Sequence, residues 1–215
     1  MRVRALTYHG LVAEGGPRDG FEGAGAAAYA VAPERFGEHL DRIAAATEQA
    51  PATADSLSGG GAWMLTFDDG AASALEAAEQ LARRSWRGHF FIATDLVGTP
   101  GFLTWDGVRE LARAGHVVGS HSCSHPDRMA ACSDQVLLDE WSRSGATLAE
   151  ALGRRVSTAS VPGGLYSAGV GRAAAAAGRP LPWARQRSAW AVRGLAKRLA
   201  GERYEDIRRA LLARR

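Results

Sequence analysis

An α/β fold in one domain is what this sequence predicts, and three observations predict it. Short apolar runs, at residues 4–8, 63–65, 88–94, 116–119 and 156–161, each break off at a polar residue, a glycine or a proline. Between them lie stretches with apolar residues at helical spacing, the alternation that builds a sheet covered by helices. The third observation is size, since 215 residues with 46% hydrophobic content can bury one sizeable core.

Taken in order, residues 4–8 read as a short buried strand that delivers His9 and Gly10 at its carboxyl end, where active groups gather in such folds. Residues 11–31 are Gly-rich and irregular, too long for a mere connector, and read as a loop on the substrate side. Phe36, Leu40, Ile43 and Ala44 then recur at helical spacing within 33–49 and predict a core-facing stripe. A polar link over 51–61 leads to Trp63-Met64-Leu65 and the end of a buried strand. Residues 73–84 predict a helix with Leu75, Ala78 and Leu81 inward, and 88–94 predict a strand with His89 packed at its entry. Thr104 is a fitting N-cap for a helix over 105–114, which Gly115 stops. After the strand at 116–119, a long helix over 133–152 offers Val136, Leu137, Trp141 and Leu148 to the core. A strand at 156–161 runs into Pro162-Gly163-Gly164-Leu165-Tyr166, and a helix over 167–177 ends at Gly178. Beyond it the sequence offers no convincing further strand, only basic helical stretches at 184–199 and 204–212. The expected division is therefore a domain over 1–178 and a basic helical tail over 179–215.

Chemistry concentrates at two strand exits. Thr66-Phe67-Asp68-Asp69-Gly70 sets two carboxylates side by side at the end of an apolar run. Neighbouring carboxylates repel and cannot both ionise cheaply in a dry site without a compensating cation or proton. Alternation at a strand end predicts that they point apart, so that one binds a cation while the other faces substrate or water. Downstream, Gly119-Ser120-His121-Ser122-Cys123-Ser124-His125-Pro126 places two histidines four residues apart, again after a β-like run. One carboxylate and two imidazoles leave coordination positions open for water, which suits catalysis by zinc or a similar divalent ion.

Thr66–Gly70 together with His121-Ser-Cys-Ser-His125 resembles the paired signatures of the NodB-type polysaccharide deacetylases, carbohydrate esterase family 4. The opening Tyr8-His9 is similar to the circularly permuted branch of that family, which includes the poly-N-acetylglucosamine deacetylases. The resemblance covers residues 3–178 and implies a distorted or incomplete (β/α)7 barrel. It implies that Asp69, His121 and His125 hold the metal, most readily Zn, with Co, Ni or Mn as alternatives. Asp68 is then the general base and Gly163 lends a backbone N–H to the oxyanion. His9 is the general acid, arriving at the start of the chain; no histidine follows His125. The implied substrate is an N-acetylated carbohydrate, a polymer, a lipid-linked intermediate or a small glycoside, which loses its acetyl group as acetate. Among Trp105, Tyr166 and Trp183, Tyr166 is the candidate for stacking on a sugar. Ser160 stands where the family's third signature carries an arginine, so the sequence predicts that Asp68 lacks its orienting partner. That loss and the missing late strand motivate two other readings, a metal- and sugar-binding remnant without activity and an amidohydrolase acting on a different amide.

Other classes fall away on composition and pattern. No G-x-S-x-G elbow is present for a Ser-His-Asp hydrolase. No apolar run reaches 18 residues, and residues 1–9 have neither an apolar core nor a cleavage site of the secretory kind, so the expectation is a cytoplasmic protein. Cys123 and Cys132 are expected as free thiols, Cys123 also being weighed as a soft ligand between the histidines. Net charge is only +3, but residues 172–215 carry 12 Lys/Arg against 3 Asp/Glu. This basic tail predicts a weak contact with an anionic membrane surface, and no nucleic-acid partner is expected.

Overall fold

Among the described residues, four parallel strands in the order β1-β2-β3-β4 form the sheet. The computed structural model describes residues 3–13, 15–16, 19–56 and 62–178. Strand β1 (Arg4–Tyr8) buries Leu6 and Tyr8 on one face and leaves Arg4, Ala5 and Thr7 more open, and among the described residues it pairs with β2 alone. In β2 (Trp63–Phe67) and β3 (His89–Ile92) every residue is buried, the pattern of central parallel strands covered on both faces. Strand β4 (Val117–Ser120) follows. Tyr8 is in register with Phe67 and Ile92 with Ser120, so all four strands end on one rim.

Helices make the crossovers. Helix α1 (Ala24–Ala27) is a single turn inside the stretch expected to be irregular. In α2 (Pro33–Ala46), Phe36, Leu40 and Ile43 are buried as their spacing predicts. Ala44 is exposed, because one residue beyond Ile43 the helix has turned away from the sheet. Helix α3 (Ala74–Ala82) buries Ala78 and Leu81, with Leu75 packed at the core's margin. Helix α4 (Trp105–Arg113) is capped by the Thr104 hydroxyl, which accepts from the Gly107 N–H at 3.2 Å. Ser133 and Ser167 cap α5 (Asp134–Leu152) and α6 (Ala168–Ala176) in the same way. Within α5, Leu137, Trp141 and Leu148 are buried, whereas Val136 is 43% exposed on the outer side of the first turn. No described helix is long and apolar enough to cross a membrane.

The core is a stack of aromatic rings between the sheet and α2. Phe67 lies flat against Phe90 at 4.6 Å and meets Phe36 edge-on at 5.8 Å. A smaller cluster, with Trp141, Leu137, Met129 and Val170, fills the angle between α5 and α6.

The strand expected at 156–161 is reduced to one parallel bridge between Ser120 and Ala159. Ser120 N–H donates to the Thr158 carbonyl at 3.0 Å and Ser160 N–H to the Ser120 carbonyl at 2.9 Å. Pro162, which has no N–H, then ends the pairing, and no strand is described on the segment's far side. Among the described residues the sheet therefore stays open between this segment and β1, an incomplete barrel. The basic tail and Trp183 lie outside the described residues.

Candidate active site

The parallel register gathers the reactive residues. Tyr8 pairs with Phe67, and the Asp68 N–H donates to the Tyr8 carbonyl at 3.0 Å, so His9 emerges beside Asp68. Two strands further on, His121 follows directly on β4, and Ser160 follows the Ala159 bridge. Three strand exits and the bridged segment thus contribute to one rim.

The two aspartates diverge, as expected, but the cause is a turn rather than strand pleating. Strand β2 ends at Phe67, and Asp69 adopts a left-handed φ of 74°, followed by Gly70 at 84°. Ser122 and His125 are also left-handed, at 65° and 56°. Such conformations are rare for residues with a Cβ and tend to mark functional sites.

Asp69 Oδ1 lies 3.3 Å from His121 Nε2 and 3.3 Å from His125 Nε2. The donor atoms of all three residues lie within 4.8 Å of one another. This fits a metal ion, because tetrahedral bonds of about 2.0–2.1 Å require ligand atoms roughly 3.3–3.4 Å apart. Asp69 Oδ1 is itself buried without a hydrogen-bond partner, as a ligand atom would be. Burial alone would raise the Asp69 pKa, but the His121 and His125 imidazoles hold it well below the usual carboxylate range. Burial likewise opposes charge on His121, yet Asp68 and Asp69 together raise its pKa. The Nδ1–H of His121 points at the Ser160 carbonyl, 3.1 Å away, which leaves Nε2 with its lone pair toward Asp69.

Asp68 is not without a partner. The Ser160 hydroxyl donates to Asp68 Oδ2 at 3.0 Å, so a serine at the arginine position still orients the carboxylate. Asp68 Oδ1 is buried and has no partner. Ser160 therefore touches both halves of the site, Asp68 through its side chain and His121 through its carbonyl.

His9 is half-buried, its ring 4.7 Å from that of Tyr29, and it is among the charges that act on Asp69. Tyr29 belongs to the segment read as a substrate-side loop. From the same segment Phe21 packs on the His125 ring at 4.7 Å. The loop is pinned by Asp19, which accepts from the Ser73 N–H at 2.7 Å, and by the Gly20 N–H, which donates to the Gly101 carbonyl at 2.6 Å. Neither aromatic stands out in the sequence, since nothing in a Gly-rich stretch reveals where it folds back.

Gly163, with φ 63°, lies three residues beyond Ser160 in a tight turn. Tyr166 is 45% exposed, and its hydroxyl lies against Gly171 of α6. Trp105 packs on the core's margin. His89 is fully buried, and its Nε2 accepts from the Ala54 N–H at 3.0 Å. Cys123 faces away from the ligands and donates its thiol to the Glu140 carbonyl at 3.4 Å.

Comparison with known proteins bears on the family and the fold. The family model described as polysaccharide deacetylase matches residues 57–181. Solved structures share the fold at low identity. The Streptococcus pyogenes deacetylase PplD in complex with acetate is 20% identical, with a TM-score of 0.66 over 82% of this chain and 80% of that one. IcaB from Ammonifex degensii is 21% identical, with a TM-score of 0.67 over 82% and 81%. A de-N-acetylase from Aggregatibacter actinomycetemcomitans is 18% identical, with a TM-score of 0.68 over 82% and 85%. No curated protein matches the chain significantly.

Proposed function

The chain belongs to the polysaccharide deacetylase family, of NodB type, and on that premise we propose that it is a zinc-dependent hydrolase that releases acetate from an N-acetylated sugar. One observation carries the reading: Asp69 Oδ1 faces two imidazole nitrogens at 3.3 Å, while the adjacent Asp68 keeps one buried oxygen free. Two structural neighbours, the PplD deacetylase holding acetate and the Aggregatibacter de-N-acetylase, support the same chemistry.

Asp69, His121 and His125 would hold the ion. Zinc so bound supplies a Lewis acid that acidifies water and polarises the amide carbonyl. Asp68 takes a proton from the attacking water on Oδ1, while Ser160 holds Oδ2 and so fixes which oxygen is presented. The new C–O bond leaves charge on the former carbonyl oxygen, and the Gly163 N–H donates to it. As the C–N bond breaks, His9 delivers its proton to the departing nitrogen, its ring held by Tyr29. Acetate and a sugar amine remain. Tyr166 would meet the sugar farther from the reacting bond, and the loop bearing Phe21 and Tyr29 would close the other side.

The test is acetate release from N-acetylglucosamine oligomers and glycosides by metal-stripped protein to which zinc or cobalt is restored. Release is expected with metal alone, and His9→Ala should lower turnover by about 10²- to 10⁴-fold, the usual contribution of a general acid. Equal release by stripped and restored protein would exclude the metal role, and full turnover in His9→Ala would exclude the acid role.

A further inference from the structure

We propose that Glu140 is a positioning residue of the metal centre: its buried carboxylate holds the backbone of residues 122–125 in the shape that brings His121 and His125 together on Asp69. The proposal rests on the metal-centre reading above and adds a residue from a different element.

Glu140 lies on α5 and is only 7% exposed. Its Oε2 accepts from the Cys123 N–H at 2.8 Å and the Ser124 N–H at 3.0 Å, and its Oε1 accepts from the Ser124 hydroxyl at 2.7 Å. A carboxylate withdrawn from water is costly unless such donors surround it, and here they all come from the histidine loop. Burial alone would raise the Glu140 pKa, but the donors of Ser124, Cys123 and Ser122 hold it below the ordinary range.

The loop needs such a clamp. Ser122 and His125 both occupy the left-handed region, which a short non-glycine loop does not adopt unaided. Ser122 Oγ accepts from the His125 N–H at 3.2 Å, and Ser120 Oγ accepts from the Ser122 N–H at 3.2 Å, so the loop's two ends are tied locally. Its middle, Cys123 and Ser124, is tied to Glu140. Because α5 packs against β4, the clamp fixes the loop to the body of the protein rather than to itself.

Two conservative variants separate geometry from charge. In Glu140→Gln the amide oxygen can accept both N–H bonds and the amide NH2 can donate to the Ser124 hydroxyl, so the geometry survives without the charge. Glu140→Asp keeps the charge but is one methylene too short. Metal-stripped full-length proteins are titrated with zinc by calorimetry, and circular dichroism confirms that each is folded. Glu140→Asp should bind zinc about 10- to 100-fold more weakly than wild type while Glu140→Gln stays within about threefold, the range seen when groups behind metal ligands are disturbed. Wild-type affinity in Glu140→Asp overturns the proposal, as does a Glu140→Gln protein weaker than Glu140→Asp, which would mean that charge rather than positioning matters. If Glu140→Asp does not fold, Ser124→Ala decides the matter: severalfold weaker zinc binding supports the clamp and unchanged binding overturns it. A wild-type protein that takes up no zinc overturns the metal-centre reading and the clamp with it.

Discussion

Two neighbouring carboxylates, Asp68 and Asp69, receive different tasks from what stands opposite each. Asp69 faces the imidazoles of His121 and His125, and Asp68 faces one hydroxyl. That hydroxyl, on Ser160, could not be recognised as a partner in the sequence, where a serine in place of an arginine reads as a loss. Residue type is visible in a sequence, but reach across 92 positions is not. The metal triad, by contrast, is legible because its ligands lie within five residues of a strand's carboxyl end, and strand ends in such folds converge. Ser160→Ala should lower kcat about 10- to 150-fold, the worth of about 1.5–3 kcal/mol for one hydrogen bond to a charged group. KM and zinc affinity should stay unchanged, and Ser160→Thr should restore the rate. Steady-state kinetics alongside zinc titration check this, and a parallel loss of zinc affinity would point to a general disturbance instead.

Among the elements, the capped helices and central strands follow from local signals, with Thr104, Ser133 and Ser167 each capping where their side chains allow. The segment at 156–161 was harder to read, since its apolar run is strand-like but pairing depends on neighbours that the run does not contain. Its single bridge to β4 is made possible by Gly119. A Cβ at Gly119 would stand 2.5 Å from Thr158 Oγ1 and 2.7 Å from both the Thr158 carbonyl oxygen and Phe91 Cδ1. Backbone cannot yield as a flexible side-chain tip does. Gly119→Ala should therefore cost about 1–3 kcal/mol in denaturant unfolding, the usual penalty of overpacking. It should also weaken zinc binding, because Ser120 and His121 are carried by the same bridge. Glu140 escaped sequence reading for a related reason: a charged residue inside an amphipathic helix looks like surface until the loop it clamps is folded over it.

For the molecule as a whole, the open parallel sheet puts its chemistry on the carboxyl rim and two structural histidines toward the opposite side. His89 and His116 are 0% and 3% exposed. Burial pushes both down to about 4, against the Leu65 carbonyl and Asp55 for His89 and with help from Arg87 for His116. The unfolded chain, with ordinary imidazoles, binds protons that the folded one refuses. Stability present above pH 6.5 is therefore lost as pH falls toward 4, on the order of 2 kcal/mol per histidine by pH 5. Urea midpoints measured from pH 7 to 5 should fall accordingly, and His116→Gln should flatten the fall.

The division of labour between the two aspartates is tested most directly by Asp68→Asn, assayed for zinc binding and acetate release beside the wild type. The prediction is one zinc bound with wild-type affinity and acetate release reduced by at least about 10²-fold, since the metal ligands remain and the proton acceptor is gone. Undiminished acetate release from the variant, or loss of its zinc, would contradict the assignment of Asp68 as base and Asp69 as ligand.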